Sequence, residues 1–307
     1  MGGDSGLSSR RAEGNTFSLA CLLNTLYNWG NRSPGIPAGQ IAFRITDCNR
    51  RGTWTNMTRR IGVLNYKGGT AKTTTVINLG AGLAMKGARV LCVDLDPQGS
   101  LATCLGVRYT YSLAHMLLGQ VAPQACVVSA RENMDIIPSD SSLLQAEGEM
   151  WRLNNNQLAR QLLSNKLYGL DEEYDYVLLD FSPSASILSE SGLRYTQELI
   201  VPVSTSYLSM IGTRQVIETL KNIGRIPGHR VQLYLILPTL YSAHLKQDRE
   251  ILGILQRHFA NRVADPIRSN VKLTEAPSHH KTIFEYSPRS GAAAEYLRLV
   301  ERVMLDG

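Results

Sequence analysis

No stretch of about 18 uninterrupted apolar residues occurs in the 307-residue chain, so the sequence offers no membrane-spanning helix. Its start, Met1-Gly2-Gly3-Asp4-Ser5, lacks a basic segment followed by an apolar core, so no secretory-leader pattern is expected. Cysteine is scarce. Cys21, Cys48, Cys92, Cys104 and Cys126 are odd in number and lack Cys-x-x-Cys spacing, which argues against a disulfide framework and against a zinc site. A reducing, cytoplasmic setting is the expectation. No internal repeat is visible. Charge is not heavily one-sided: 32 Lys and Arg against 26 Asp and Glu give +6, a balance that favours polyanionic partners without establishing them.

What is present is an alternation. From Arg59 onward, short apolar segments suited to strands (60–65, 88–94, 133–137, 175–180, 197–203, 231–237) alternate with helical stretches (72–86, 140–166, 207–225, 245–260, 291–304). This pattern predicts an α/β fold with a doubly wound, mostly parallel sheet and helices on both faces. Ligands in such folds bind at the carboxyl ends of the strands. The final stretch, Ala292–Leu305, reads as a packed helix that mixes Glu295 and Glu301 with Arg298 and Arg302. It lacks the character of a basic amphipathic membrane tail, so stable membrane association is not expected.

Residues 1–56 differ from the remainder. They are rich in Gly, Ser, Asn and Arg, with six arginines against Asp4, Glu13 and Asp47. Leu19, Leu22, Leu23 and Leu26 recur at helical spacing within Phe17–Trp29. Three readings stand side by side: a poorly ordered basic arm, a small interaction helix, or a segment foreign to the native protein. The expected division is 1–56 as an extension and 57–307 as the folded domain.

Ile61-Gly62-Val63-Leu64 runs directly into Lys67-Gly68-Gly69-Thr70-Ala71-Lys72-Thr73-Thr74. A strand that breaks into a glycine-bearing loop and then opens a helix can bring backbone N–H groups and a helix dipole against phosphate. In such a loop Lys72 reaches the β- and γ-phosphates and the Thr73 hydroxyl ligates Mg²⁺. The usual phosphate-loop pattern would place glycine where Tyr66 and Ala71 stand. A second carboxylate-bearing strand end, Val90-Leu91-Cys92-Val93-Asp94-Leu95-Asp96-Pro97-Gln98-Gly99, spaces two acids at i and i+2 so that both face one side. Asp before Pro is also a common helix opening, and the two readings can hold together, but the full string argues against capping alone. A third, Val177-Leu178-Leu179-Asp180, ends a buried apolar strand on an acid able to hold Mg²⁺.

Lys-Gly-Gly-x-x-Lys-Thr with its leading Lys67 resembles the deviant Walker A box of the ParA/MinD family. Asp-x-Asp-Pro-Gln-Gly resembles the second ParA box. Asn270-Val271-Lys272-Leu273-Thr274-Glu275-Ala276-Pro277-Ser278 and Ile283–Ser290 resemble the chromosomal branch often called Soj. The likeness covers about residues 58–305, and Thr58-Arg59-Arg60-Ile61 after Met57 looks like the usual opening of the family. Phe181-Ser182-Pro183 departs from the family's Asp-x-Pro-Pro.

The resemblance implies a slow ATPase that uses ATP and Mg²⁺. It further implies a homodimer in the ATP state, with Lys67 reaching the partner subunit's phosphate. It gives Asp96 the orientation of the attacking water, and Thr73, Asp94 and Asp180 the magnesium network. It also implies non-specific DNA binding through Lys272, with Arg268 and Lys246 as neighbouring candidates. Release would follow hydrolysis stimulated by a ParB-like or cargo-adaptor partner, in a cytoplasmic, nucleoid-associated setting. The competing expectation is a MinD-like, membrane-associated positioning ATPase.

Overall fold

The computed structural model describes residues 58–153, 156–205, 214 and 231–306. The expected helix over 207–225 and everything proposed for residues 1–56 lie outside the described residues.

Seven strands form one sheet: β1 (Arg59–Val63), β2 (Val90–Leu95), β3 (Val128–Arg131), β4 (Met134–Ile137), β5 (Tyr176–Phe181), β6 (Glu198–Ser204) and β7 (Gln232–Thr239). Their order is β3-β4-β2-β5-β1-β6-β7. All neighbouring pairs are parallel except β3–β4. The helices are α1 (Lys72–Met85), α2 (Ser100–Leu105), α3 (Leu113–Leu117), α4 (Leu143–Arg152), α5 (Asn156–Leu167), α6 (Ile187–Tyr195), α7 (Lys246–Phe259), α8 (Val271–Glu275), α9 (Ile283–Tyr286) and α10 (Gly291–Leu305).

The period-2 alternation of the strands sorts their side chains onto two buried faces. Ile61, Val63, Cys92, Leu178, Ile200 and Leu235 share one core with α1 and α10 residues such as Leu79, Leu83, Tyr296 and Val300. On the other face Leu95 and Phe181 meet Gly192 of α6. Burial on both sides explains why the central strands read as continuous apolar runs. The last helix packs against α1 with Ala292, Ala293, Tyr296, Leu299, Val300 and Val303 buried, in keeping with its expected reading as a packed helix.

All six expected strands are present. The edge strand β3, antiparallel to β4, is an addition. The single expected helix over 140–166 is two helices, α4 and α5. The fold's consequence for function is the adjacency of β2, β5 and β1. Asp94 is the register partner of Asp180, and Val63 pairs with Asp180 on the other side. Three motif-bearing strand ends therefore meet at the carboxyl end of the central strands, where the phosphate loop departs.

Candidate active site

The loop after β1 is built around a carbonyl. Lys67 O accepts from Lys72 Nζ and from Thr70 Oγ1, each at 3.3 Å, so the two lysines of the motif are linked through the leading residue's backbone. The Lys67 N–H donates to Asn65 Oδ1 at 2.9 Å. The buried Asn65 in turn donates through Nδ2 to Pro202 O on β6 at 2.8 Å. Thr239 at the end of β7 donates to Thr70 O at 3.1 Å. The loop is thus held from β6 and β7 as well as from its own strand. Its glycine-bearing tip, Lys67-Gly68-Gly69, is exposed. Among the described residues the Lys67 ammonium has no ion-pair partner.

Ala71 occupies the position where a glycine would be usual, and it takes the left-handed backbone that explains the preference, at φ 66° and ψ 34°. A Cβ in that region costs about 1 kcal/mol. Its carbonyl accepts from both the Thr75 N–H at 2.9 Å and the Thr75 hydroxyl at 2.7 Å, which anchors the first turn of α1. With no acidic residue in that first turn, the helix N-terminus stays open to an anion.

Lys72 is only 8% exposed. Burial pushes its ammonium below the ordinary lysine value, and Asp180 and then Asp96 draw it partly back. Asp180 is 1% exposed, and neither carboxylate oxygen has a hydrogen-bond partner. Burial, reinforced by Asp94, raises its pKa well above the carboxylate range. Thr73 and Lys72 oppose that rise, although Thr73 does not meet hydrogen-bond geometry. Asp94 is fully buried and burial pushes it up to about 7. Each of its oxygens accepts a backbone N–H at 3.0 Å, Oδ1 from Asp96 and Oδ2 from Leu101.

The turn after β2 differs from an Asp-Pro helix opening. Asp96 Oδ1 accepts from Gln98 N and Asp96 O from Gly99 N, both at 3.0 Å, and α2 begins only at Ser100. Gly99 is the cap, at φ 63°, and a Cβ there would lie 2.5 Å from Ser139 O. The buried Ser139 hydroxyl donates to Asp96 O. Asp96 is therefore held by its backbone while its side chain remains partly accessible.

Such a site contains two side-by-side buried acids, one without partners, next to a buried lysine and an open helix N-terminus. A cation and a polyphosphate together satisfy every element of it. A family profile described as an AAA domain matches residues 58–233. The chromosome-partitioning ATPase Soj of Thermus thermophilus is 38% identical over 247 residues, 80% of this chain and 95% of that protein. The chain belongs to the ParA/Soj family.

The sporulation initiation inhibitor protein Soj of Bacillus subtilis is 32% identical over 256 residues, covering 82% of this chain and all of that protein. Among solved structures, one described as cobyrinic acid a,c-diamide synthase from Mycobacterium smegmatis, with a bound ATP analogue and magnesium, has 31% identity. Its TM-score is 0.70, over 81% of this chain and 95% of that one.

Within this ParA-family frame the departure at Phe181 is accommodated by packing. Phe181 is fully buried, and a Cβ on Gly62 or Gly192 would fall 2.7 or 2.8 Å from its ring. Ser186 then caps α6, accepting from Ser189 N at 3.2 Å and donating to Glu147 of α4.

The three cations nominated for DNA each face an acid. Lys272 Nζ lies 2.9 Å from Glu275 and over the Tyr286 ring. Lys246 lies 3.7 Å from Glu250, with its side chain 84% exposed. Arg268 clasps the buried Glu295 of α10 through both its guanidinium and its backbone N–H. That last pairing gives Arg268 a structural task, closing a buried carboxylate, that its sequence context does not display. Asn65, Ser139 and Thr239 are site residues that sequence reasoning missed. Asn65 precedes the loop by two positions, but Ser139 and Thr239 act across the fold and leave no local signature.

Proposed function

We propose that the chain is an ATP-dependent partitioning ATPase that pairs with a second copy around ATP, holds DNA non-specifically while paired, and is released by hydrolysis. The observation that carries the reading is the unpartnered Asp180 carboxylate, buried between Asp94 and the phosphate loop. Ionised there, it would cost several kcal/mol without a cation. Asp180 and the Thr73 hydroxyl would hold Mg²⁺, with Asp94 supporting the network through the turn it fixes. Bound Mg²⁺ would neutralise charge on the β- and γ-phosphate oxygens during transfer.

The protein's own part is positioning. Backbone N–H groups of residues 68–74 and the start of α1 cradle the phosphates. Lys72, moved off the Lys67 carbonyl, places its charge on the transferring group. Asp96, fixed by Ser139 and Gly99, orients water for in-line attack. The exposed Lys67 reaches the partner subunit's phosphate, which makes the paired state depend on the triphosphate. No histidine or other strong base is placed by the motifs, so turnover is slow until a ParB-like or cargo-adaptor protein stimulates it.

Residues 57–307 form the ATPase domain in this reading, and the protein acts in the cytoplasm on nucleoid DNA. The names of the relatives support partitioning. Lys272 and its neighbours supply phosphate contacts, so affinity should fall steeply with salt. The test is DNA binding by the full chain, and by a chain beginning at Met57, with Mg·ATP, Mg·ADP or no nucleotide. Binding confined to the ATP state is expected, and equal binding in all three states would overturn the proposal.

A further inference from the structure

The six-residue helix α2 joins two parts of the molecule that the proposed function treats separately. At its start, Leu101 N donates to the Asp94 carboxylate, and the preceding turn carries Asp96. At its end, side chains from elsewhere reach two of its carbonyls, Thr103 O, which also accepts the Gly106 N–H at 3.3 Å, and Leu105 O. His280 Nδ1 lies 3.0 Å from Thr103 O; a carbonyl can only accept, so that nitrogen carries the proton. Arg131 Nη1 donates to Leu105 O at 3.4 Å, while its Nη2 donates to His280 O at 2.7 Å and its Nε to Glu285 at 2.6 Å. A protonated or neutral donor at this end also matches the negative pole of the helix.

His280 adopts left-handed backbone, at φ 54°, in a residue with a Cβ. Such strain persists only where the surroundings over-determine it, and here the imidazole is seated on Gly106. A Cβ on Gly106 would come within 2.8 Å of the His280 Cβ and ring. The same short segment belongs to the α8–α9 surface. Ala276–His279 forms a single helical turn after α8, His279 stacks on Tyr286 at 5.0 Å, and Lys272 and Glu275 complete the cluster around that ring. A rigid helix of roughly 9 Å thus has the acidic turn on one end and the Lys272 surface on the other.

We propose that α2 is a strut that transmits the state of the Asp94–Asp96 turn to the α8–α9 surface, with His280 as the coupling residue. The idea rests on the partitioning reading for its purpose, but its physical content is independent of DNA. When nucleotide and cation reshape the turn, the Leu101–Asp94 hydrogen bond pulls α2 along its axis. His280 and Arg131, locked to its far carbonyls, carry the displacement into residues 271–286. The surface that meets phosphates is thereby tuned without touching the nucleotide.

The test is hydrogen exchange on the full-length chain with and without Mg·ATP, comparing wild type, His280→Gly and His280→Asn. Glycine accepts the left-handed backbone freely and removes the imidazole donor, so folding is spared and the link is cut. Asparagine tolerates the same backbone and retains a donor. Wild type should show a nucleotide-dependent change in exchange over 271–286 of about fivefold or more. His280→Gly should lose it with ATP hydrolysis unchanged, and His280→Asn should recover part of it. A change retained in His280→Gly would overturn the inference, as would no change in wild type. DNA binding measured on the same wild-type samples separates the two ideas. Nucleotide-dependent exchange without DNA binding would sink the partitioning reading and leave the strut standing.

Discussion

Two acids meet at one register position, Asp94 opposite Asp180, and only one of them is hydrogen-bonded. Burial is the larger effect on both; Asp94 then adds to the rise at Asp180, and Asp96 adds to the rise at Asp94. The sign of the consequence is fixed by linkage. A carboxyl whose folded pKa lies above its unfolded value binds more protons folded, so its contribution is intact below about 4 and is lost as pH rises through about 7 for Asp94. Thermal melts in EDTA should show stability falling over that interval, and excess Mg²⁺ should oppose the fall at neutral pH. Lys72→Ala removes the buried ammonium next to the same pair, and should cost ATP at least about tenfold in affinity. Isothermal titration with a non-hydrolysable analogue measures it, and wild-type affinity would contradict the site. At this scale the sequence was most legible. Lys67–Thr74, Asp94-Leu95-Asp96 and Asp180 carry their chemistry in contiguous strings, and the structure brings those strings together. Ser139 and Thr239 were not legible, because a hydroxyl that serves a carbonyl 43 or 169 residues away looks like any other strand-end serine or threonine.

Elements come next, and their boundaries follow the strength of the local signal. The strands with both faces buried announce themselves as apolar runs, and β1, β2, β5, β6 and β7 appear where those runs lie. β3 escaped because Val128-Ser129-Ala130-Arg131, although it alternates, is only four residues long, largely half-buried and at the edge, without an apolar run. The expected long helix over 140–166 divides because Leu153 leaves helical backbone at ψ 115°. Turn chemistry explains a third difference: the Asp96-Pro97 string forms a capped turn first, with Gly99 as the residue that lets α2 start. Gly99→Ala would force a Cβ onto the Ser139 carbonyl in left-handed backbone, with an expected cost of about 2–3 kcal/mol. Urea unfolding should show that loss, and hydrolysis should fall further than stability alone predicts because Asp96 moves with the turn.

For the whole molecule, the family and the doubly wound sheet were within reach of the sequence, because three motifs in order at strand ends constrain topology. Assembly is a different matter. Lys67 stands exposed at the loop tip, with its backbone enlisted to hold Lys72 and its ammonium unpaired among the described residues. A lone lysine string cannot say whose phosphate it serves. The same holds for Lys272, whose partner in the isolated chain is Glu275 and whose partner in the proposed cycle is DNA. The account therefore turns on whether the triphosphate joins two copies. Light scattering after size exclusion decides it, using Asp96→Ala to hold ATP intact, with and without Lys67→Ala. With Mg·ATP the Asp96→Ala protein should elute at twice the 33.9 kDa chain mass, and the Lys67→Ala, Asp96→Ala double variant at the single-chain mass while still binding nucleotide. A single-chain mass for Asp96→Ala, or an undisturbed dimer in the double variant, would contradict the account.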